Sequence, residues 1–157
     1  MDLVVQKSRN GKGIFAGRDC APEEVLYEVT GVFITGDEDE DIDETIRDNA
    51  FRFSEDLYIS PAGGIGDFQN HSCEPNAKVV KREEMLFVVS CRAITKGEEI
   101  FIDYSTIIGA DDIWEMSCNC GGSHCRTVVR SFDTLPKALQ KEYRECGMVP
   151  DYIAQLS

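Results

Sequence analysis

Short apolar runs separated by turn-forming residues make up most of the chain. The runs are three to five residues long and rich in apolar, β-branched or aromatic residues, and Gly, Asn, Asp or Pro stand between many of them. Runs of this length are typical of strands rather than helices. The pattern therefore predicts a mainly β protein, with strands at 3–5, 13–16, 25–29, 32–34, 51–53, 57–59, 78–80, 85–89 and 99–102.

The last part of the chain follows a different period. Leu135, Leu139 and Tyr143 recur every four residues, which places them on one face of a helix. Pro136 suits the first turn of that helix, and Gly147 suits its C-terminal end. We predict one amphipathic helix between residues 135 and 147.

Length and composition limit the class of protein. The chain has 157 residues, of which 42% are hydrophobic, enough for one compact domain with a core. No apolar run approaches the roughly 20 residues of a membrane span, and the N-terminus lacks the features of a secretory signal. We therefore expect an intracellular protein with no membrane segment, while the choice between cytoplasm and nucleus stays open.

The charge balance is strongly acidic. Sixteen Lys and Arg residues stand against 29 Asp and Glu residues, giving a net charge of −13. Such a surface repels phosphate backbones, so we expect no direct nucleic-acid partner. It favours a basic protein or peptide, although the charge would also serve solubility alone. The acidic run at 37–44 predicts a solvated loop or the start of a short helix, and attraction of a basic substrate is its alternative interpretation.

The cysteines indicate a metal site. Seven are present, and an odd number without a secretory signal argues against a disulfide framework. Cys118, Cys120 and Cys125 are spaced so that three thiolates can meet on one ion. Structural zinc takes four ligands, and His124 is the local candidate for the fourth.

Three further motifs contain residue types that support chemistry: GKGIFA at 11–16, DFQNHSCEPN at 67–76 and GEEIFIDY at 97–104. The two glycines of the first let the backbone approach a ligand closely or adopt positive φ. The second contains an amide, an imidazole, a hydroxyl and a thiol in four consecutive residues. Each motif alone could be a turn or an edge strand.

Together, and followed by CxCxxxxC, these motifs resemble the SET-domain protein-lysine methyltransferases. The resemblance covers about residues 3–125, and the cysteine-rich segment is similar to the post-SET element of that family. It implies the SET-domain (β-clip) fold of small curved sheets with a threaded C-terminal segment, to which the predicted C-terminal helix is added. The implied divisions are a SET domain at 1–110, a post-SET zinc-binding segment at 111–130 and a helical extension at 131–157.

The resemblance also implies a function and a site. The function is transfer of a methyl group from S-adenosyl-methionine to the side-chain amine of lysine in a basic protein, for which a histone-like protein is one candidate. Tyr104 would be the catalytic tyrosine. The cofactor would be bound by Gly11, Lys12, Gly13, Asn70, His71 and Tyr104. One structural zinc would be bound by Cys73, Cys118, Cys120 and Cys125, with Cys73 preferred over His124.

Two residues depart from the family pattern. Many members have Arg at the position of Asp67, so the electrostatics there are left open. The position two residues before the tyrosine is often Phe or Tyr, and here it is Ile102. Because Ile has no hydroxyl to hold a water beside the amine, the resemblance favours di- or trimethylation.

Other functions stay open at this point. One alternative is a catalytically silent SET-like module that binds a lysine-bearing peptide. The presence of Tyr104, Asn70 and His71 together disfavours it. A zinc-ribbon nucleic-acid binder is another, disfavoured by the charge and by the lack of a second CxxC pair. His71 could also act as a general base rather than as a cofactor ligand.

Overall fold

The chain folds into small sheets with few helices. The computed structural model describes residues 2–35 and 43–156. The strands are β1 (Leu3–Ser8), β2 (Gly11–Ala16), β3 (Val25–Val29), β4 (Val32–Thr35), β5 (Phe51–Arg52), β6 (Leu57–Ser60), β7 (Asn70–His71), β8 (Ala77–Arg82), β9 (Met85–Ser90), β10 (Phe101–Ile102), β11 (Met116–Ser117) and β12 (Val128–Val129). The helices are α1 (Glu44–Asp48), α2 (Lys137–Glu145) and α3 (Asp151–Gln155), and single 3-10 turns lie at Ile65–Phe68, Tyr104–Ile107 and Phe132–Thr134.

Antiparallel pairing dominates the sheets. β1 and β2 form a hairpin, β3, β9 and β8 form one three-stranded sheet, and β4, β6 and β5 form another. β11 pairs with β12 near the cysteine-rich segment. β7 and β10 pair in parallel, with Asn70 opposite Phe101 and His71 opposite Ile102. The expected class, a mainly β fold of small sheets with few helices, is confirmed.

A loop at 70–76 holds β10 on both of its edges. The N–H of Ser72 donates to the carbonyl of Ile102, and the N–H of Asn76 donates to the carbonyl of Phe101. Consecutive carbonyls of an extended strand point to opposite sides. The same loop therefore contacts both sides of this short strand, which explains how a two-residue strand is held in place.

The predicted strands are found, with differences in length and number. The strand predicted at 99–102 is shorter, because only Phe101–Ile102 belong to β10, while Glu99 forms an isolated bridge with Phe15. β7, β11 and β12 were not predicted. Each has two residues, too few for a periodic pattern.

The C-terminal helix agrees with its sequence pattern. α2 runs from Lys137 to Glu145 after Pro136, and Gly147 has the positive φ of +61° typical of a residue just past a helix. The shorter helix α3, which follows Pro150, was not predicted. Residues 37–42 of the acidic run lie outside the described residues. Its remaining part begins α1, where the carboxylate of Asp43 accepts a hydrogen bond of 2.8 Å from the N–H of Thr45.

Within the described part of the chain, two hydrophobic clusters stabilise the fold. The larger lies among the sheets, and its most deeply buried members include Ile14, Leu86, Val88, Ile94, Ile100 and Ile102. The smaller lies in the C-terminal part and consists of Phe132, Leu135, Tyr143, Val149 and Ile153. Across residues 2–35 and 43–156, no helix is both long enough and apolar enough to span a bilayer.

The smaller cluster is expected to contribute substantially to stability. Phe132 is fully buried, so Phe132→Ala should lower the free energy of unfolding by about 3–5 kcal/mol, as large-to-small core changes do. Phe33 is 51% exposed and touches the ring of Phe53 edge-on, so Phe33→Ala should cost about 1 kcal/mol or less. Denaturant unfolding of both variants, with zinc added, measures the difference. Equal losses would show that the smaller cluster is not a packed core.

Candidate functional site

Tyr104 lies between two cavities. The larger has a volume of about 340 Å³, and its wall includes Phe51, Ile107 and Trp114. The smaller has a volume of about 280 Å³, and its wall includes Asn70, His71 and residues 116–120 of the cysteine-rich segment. Tyr104 contributes to the walls of both. A group in either cavity could therefore reach the same phenol.

The Tyr104 side chain is held by a hydrogen bond and by rings. Its hydroxyl donates to the carbonyl of Gln69. Its ring lies with centroids 5.2 Å from His71 and 6.0 Å from Trp114. Burial raises the pKa of Tyr104, so the phenol stays protonated at neutral pH. Gln69 is fixed in turn, because its amide nitrogen donates to Ile100 and its amide oxygen accepts from Tyr27.

Asn70 joins the first glycine motif to the third motif. Its side-chain amide donates to the carbonyl of Lys12 at 2.9 Å and to the carboxylate of Glu99 at 2.8 Å. The hydroxyl of Ser8 also donates to Glu99, at 2.7 Å. These contacts bring the β1–β2 turn, β7 and the segment before β10 together at one side of the smaller cavity. The Lys12 ammonium lies 5.5 Å from the ring centroid of Phe68.

The two glycines of the first motif are required for different reasons. A Cβ at Gly13 would lie 2.1 Å from the Glu99 carboxylate and 2.8 Å from the Asn70 amide, so only Gly allows this close approach. Gly11 has nothing within 4 Å of such a Cβ, but its φ of +92° favours Gly. One glycine thus permits packing, and the other permits the turn.

His71 is a neutral imidazole with both nitrogens in use. Its Nδ1 accepts a hydrogen bond of 3.1 Å from the N–H of Tyr104, so the ring proton lies on Nε2. Nε2 faces the Cys73 sulfur at 3.4 Å. Burial lowers the pKa of His71 to about 4, although Asp103 opposes this effect. This arrangement leaves little room for His71 to act as a general base.

Four cysteine sulfurs form a compact cluster. The Sγ atoms of Cys73, Cys118, Cys120 and Cys125 all lie within 4.8 Å of one another. Cys118 Sγ is 3.8 Å from Cys73 Sγ and 3.7 Å from Cys125 Sγ. Zinc–sulfur bonds of about 2.3 Å in a tetrahedron give sulfur–sulfur distances of about 3.8 Å. The cluster therefore fits a zinc ion, which makes these four residues candidate ligands.

The environment of the sulfurs also suits a cation. Burial raises the pKa of the Cys73 thiol to about 12, so a nearby cation is needed to keep it as a thiolate at neutral pH. Burial acts in the same direction on Cys120. There, hydrogen bonds from the N–H groups of Cys73 and Gly122 outweigh it and lower the pKa of Cys120 to about 6.

His124, the local competitor for the fourth position, points elsewhere. Its side chain is 86% exposed, and its Nδ1 lies 2.9 Å from a carboxylate oxygen of Glu74. Glu74 also accepts from the hydroxyl of Ser123. The structure therefore brings Cys73, and not His124, to the other three cysteines.

The sequence pattern did not predict the buried ion pair beside Tyr104. Arg126 donates two hydrogen bonds to Asp103, at 2.7 and 2.6 Å, and the hydroxyl of Tyr143 donates a third at 3.0 Å. The partners of Asp103 lie 23 and 40 residues away in sequence. The only sequence signals were an Asp next to the candidate tyrosine and an Arg next to the last candidate ligand.

Asp67 and Ile102, the two residues that depart from the family pattern, both make contacts within the fold. Asp67 accepts a hydrogen bond of 2.6 Å from the N–H of Gly63, so it closes the turn that precedes β7. Ile102 is fully buried in the larger core cluster. Each of the two residues therefore has a structural role.

Known proteins resemble this chain over most of its length. The SET domain pattern matches residues 11–105. Histone-lysine N-methyltransferase 2D from Homo sapiens is 30% identical over 137 residues, which cover 80% of this chain and 2% of that protein. Histone-lysine N-methyltransferase set-2 from Caenorhabditis elegans is 33% identical over 129 residues, which cover 74% of this chain and 8% of that protein.

A third relative has a more restricted name. The histone-lysine N-methyltransferase, H3 lysine-36 specific, from Yarrowia lipolytica is 32% identical over 135 residues, which cover 78% of this chain and 17% of that protein. The chain thus spans less than a fifth of the length of each of these three relatives. Because the family pattern matches more than half of its residues, the chain belongs to the SET domain family.

Proposed function

We propose that the protein transfers a methyl group from S-adenosyl-methionine to the side-chain amine of a lysine in a basic protein. One observation carries this proposal: Tyr104 forms part of the walls of two cavities. A transfer reaction needs a donor and an acceptor that reach one point from separate sites, held in line. The names of the relatives, which are histone-lysine N-methyltransferases, support lysine as the acceptor.

The smaller cavity is the proposed cofactor site. S-adenosyl-methionine, when bound, supplies an electrophilic methyl group on a sulfonium. The residues that would hold it are Gly11, Lys12, Gly13, Asn70, His71 and Tyr104. The neutral polar side chains in this cavity, among them Asn10, Asn70 and Asn119, suit the hydroxyl and amino-acid groups of such a molecule. The absence of a side chain at Gly13 leaves room for the Asn70 amide, which donates to the Lys12 carbonyl.

The larger cavity is the proposed lysine site. A free lysine has a pKa of about 10.4, so neutralising it at pH 7 costs about 4.6 kcal/mol. Walls such as Phe51, Ile107 and Trp114 lower that cost, because an apolar surrounding disfavours the ammonium. Asp48 lines this cavity together with Arg47, and Asp112 there is paired with Arg52, so these charges add little net attraction for a lysine.

Tyr104 is the proposed catalytic residue. Its hydroxyl hydrogen is used by the Gln69 carbonyl, which fixes the ring and leaves the oxygen lone pairs free to orient the amine. The raised pKa of Tyr104 argues against a role as a base. Its contribution is therefore alignment and exclusion of water.

The cysteine cluster is the proposed site of one structural zinc ion, bound by Cys73, Cys118, Cys120 and Cys125. The short sulfur–sulfur distances support this set. Such an ion would tie the loop at 70–76 to the cysteine-rich segment, and the two together form much of the smaller cavity. Its role is to build the cofactor site.

Several finer points belong to the same proposal. A histone-like tail is the favoured substrate, supported by the net charge of −13 and by the names of the relatives. The histones in the names of the relatives also support an intracellular location. The smaller hydrophobic cluster lies within 131–157. It supports the division of the chain into a SET domain at 1–110, a zinc-binding segment at 111–130 and a helical extension at 131–157. The Ile at position 102, where many members of the family have Phe or Tyr, favours di- or trimethylation.

Tyr104→Phe should abolish most of the methyl transfer. The variant loses the bond to Gln69 and the oxygen that orients the amine, and misalignment of this kind costs about 100-fold in rate. Mass spectrometry of mixed histones after reaction with isotope-labelled cofactor gives the rate, the target and the number of methyl groups. Tyr152→Phe, which also loses one tyrosine hydroxyl, is the control. If the unaltered protein binds a lysine peptide without transferring methyl, the silent binding module is the better interpretation.

Gly13→Ala should weaken cofactor binding. Its Cβ would displace the Glu99 carboxylate and the Asn70 amide, so the affinity for S-adenosyl-methionine should fall at least about tenfold. Titration calorimetry measures this without any turnover. Gly63→Ala, at an exposed turn where the φ of +93° and not a clash strains the replacement, is the control for a general loss of stability. Unchanged affinity in Gly13→Ala would argue against the smaller cavity as the cofactor site.

Zinc analysis tests the ligand set. The purified protein should contain one zinc per chain, and Cys73→Ser should bind it more weakly by over about 100-fold, because losing a ligand costs more than losing an outer partner. His124→Ala should keep its zinc, since His124 faces Glu74. Metal content after dialysis against a chelator gives the comparison. The reverse pattern would make His124 the fourth ligand.

A further inference from the structure

A single buried carboxylate lies behind the tyrosine of the site. The Asp103 side chain is fully buried, and each of its oxygens accepts two hydrogen bonds. Oδ1 accepts from the N–H of Ser105 at 3.0 Å and from Arg126 at 2.6 Å. Oδ2 accepts from Arg126 at 2.7 Å and from the hydroxyl of Tyr143 at 3.0 Å. The carboxylate is thus held from three directions.

The orientation of Asp103 is coupled to that of Tyr104. Asp103 caps the 3-10 turn at Tyr104–Ile107 through its bond to Ser105. The N–H of Tyr104, at the start of this turn, donates to Nδ1 of His71. Nδ1 of His71 is itself 3.6 Å from Oδ1 of Asp103. A rotation of the carboxylate would therefore change the turn, the phenol and the imidazole together.

Tyr143 reaches this carboxylate from the C-terminal extension. It lies on α2, outside the residues that match the SET domain pattern. The smaller hydrophobic cluster holds α2 in place, with Phe132 and Ile153 fully buried beside it. Burial and the neighbouring Asp103 charge raise the pKa of Tyr143, so its hydroxyl remains a donor. Arg126 donates one hydrogen bond to Oδ2 of Asp103. The second acceptor position of that oxygen is occupied by the Tyr143 hydroxyl.

We infer that Tyr143 is a positioning residue of the active site: by its bond to Asp103, the C-terminal extension fixes the turn that carries Tyr104. The extension is then part of the catalytic apparatus and not only a stabilising appendage. The test of this inference by kcat rests on the proposed function. The test by NMR does not depend on that function.

Tyr143→Phe in the zinc-loaded full chain is the test, because it removes one oxygen and keeps the ring. We expect kcat to fall about tenfold, since hydrogen bonds to charged groups are among the stronger ones. KM for cofactor and for peptide should stay within about twofold, because a small shift of Tyr104 keeps the binding contacts and misaligns only the reacting atoms. A merely structural residue would not produce this split.

Tyr152→Phe is the matched control. Tyr152 belongs to the same extension, and its hydroxyl donates to the carbonyl of Arg52 at 2.7 Å. Both variants should lose thermal stability, Tyr143→Phe the more because its partner is charged, yet only Tyr143→Phe should lose kcat. Equal kcat in the two variants would overturn the inference.

A second readout does not depend on activity. The chain has two histidines, so the imidazole nitrogen resonances of His71 and His124 are readily distinguished by NMR. The Nδ1 resonance of His71 should move in Tyr143→Phe and not in Tyr152→Phe, while His124 serves as the internal reference. If the unaltered protein transfers no methyl, the proposed function fails, and this measurement still decides the role of Tyr143. An unmoved His71 resonance overturns it.

Discussion

The parallel pairing of β7 with β10 is the interaction on which the site depends. Two residues on each strand form this pair, and they bring the Asn-His sequence beside the Asp-Tyr sequence. Such a short pair could not persist alone, because few hydrogen bonds offset the entropy of ordering the chain. It persists because the loop at 70–76 contacts both edges of β10 and because Ile102 is buried in the larger core.

The buried charge at Asp103 is a second constraint. Burying a carboxylate is expensive unless it is paired and fully hydrogen-bonded. Arg126, Ser105 and Tyr143 meet that demand from three separate parts of the chain. Removing any one partner would leave an incompletely paired charge in the core. The high cost of an unpaired carboxylate also favours one geometry over others. Few alternative arrangements of the chain would satisfy all four hydrogen-bond positions of Asp103.

Local patterns predicted a large part of this fold. Runs such as 25–29 and 85–89 predicted strands, and the four-residue period from Leu135 predicted α2, because burial of one face leaves a periodic trace. The family resemblance named the cysteines and Tyr104. Neither source could predict the bond between Tyr143 and Asp103, because it depends on how the extension packs. The two-residue strands β7, β11 and β12 were missed for the same reason: tertiary contacts, and not local propensity, form them.

The cysteine-rich segment is attached to the rest of the site by several independent contacts. Among them are the sulfur cluster with Cys73, the ion pair between Arg126 and Asp103, and the hydrogen bond from Ser123 to Glu74. Residues 116–120 also line the smaller cavity, so whatever orders this segment orders the cavity wall. A zinc ion at the cluster and a ligand in the cavity would then favour the same arrangement. By linkage, each would tighten the binding of the other by the same factor. The ion pair limits that factor, because it holds part of the segment in place without either ligand.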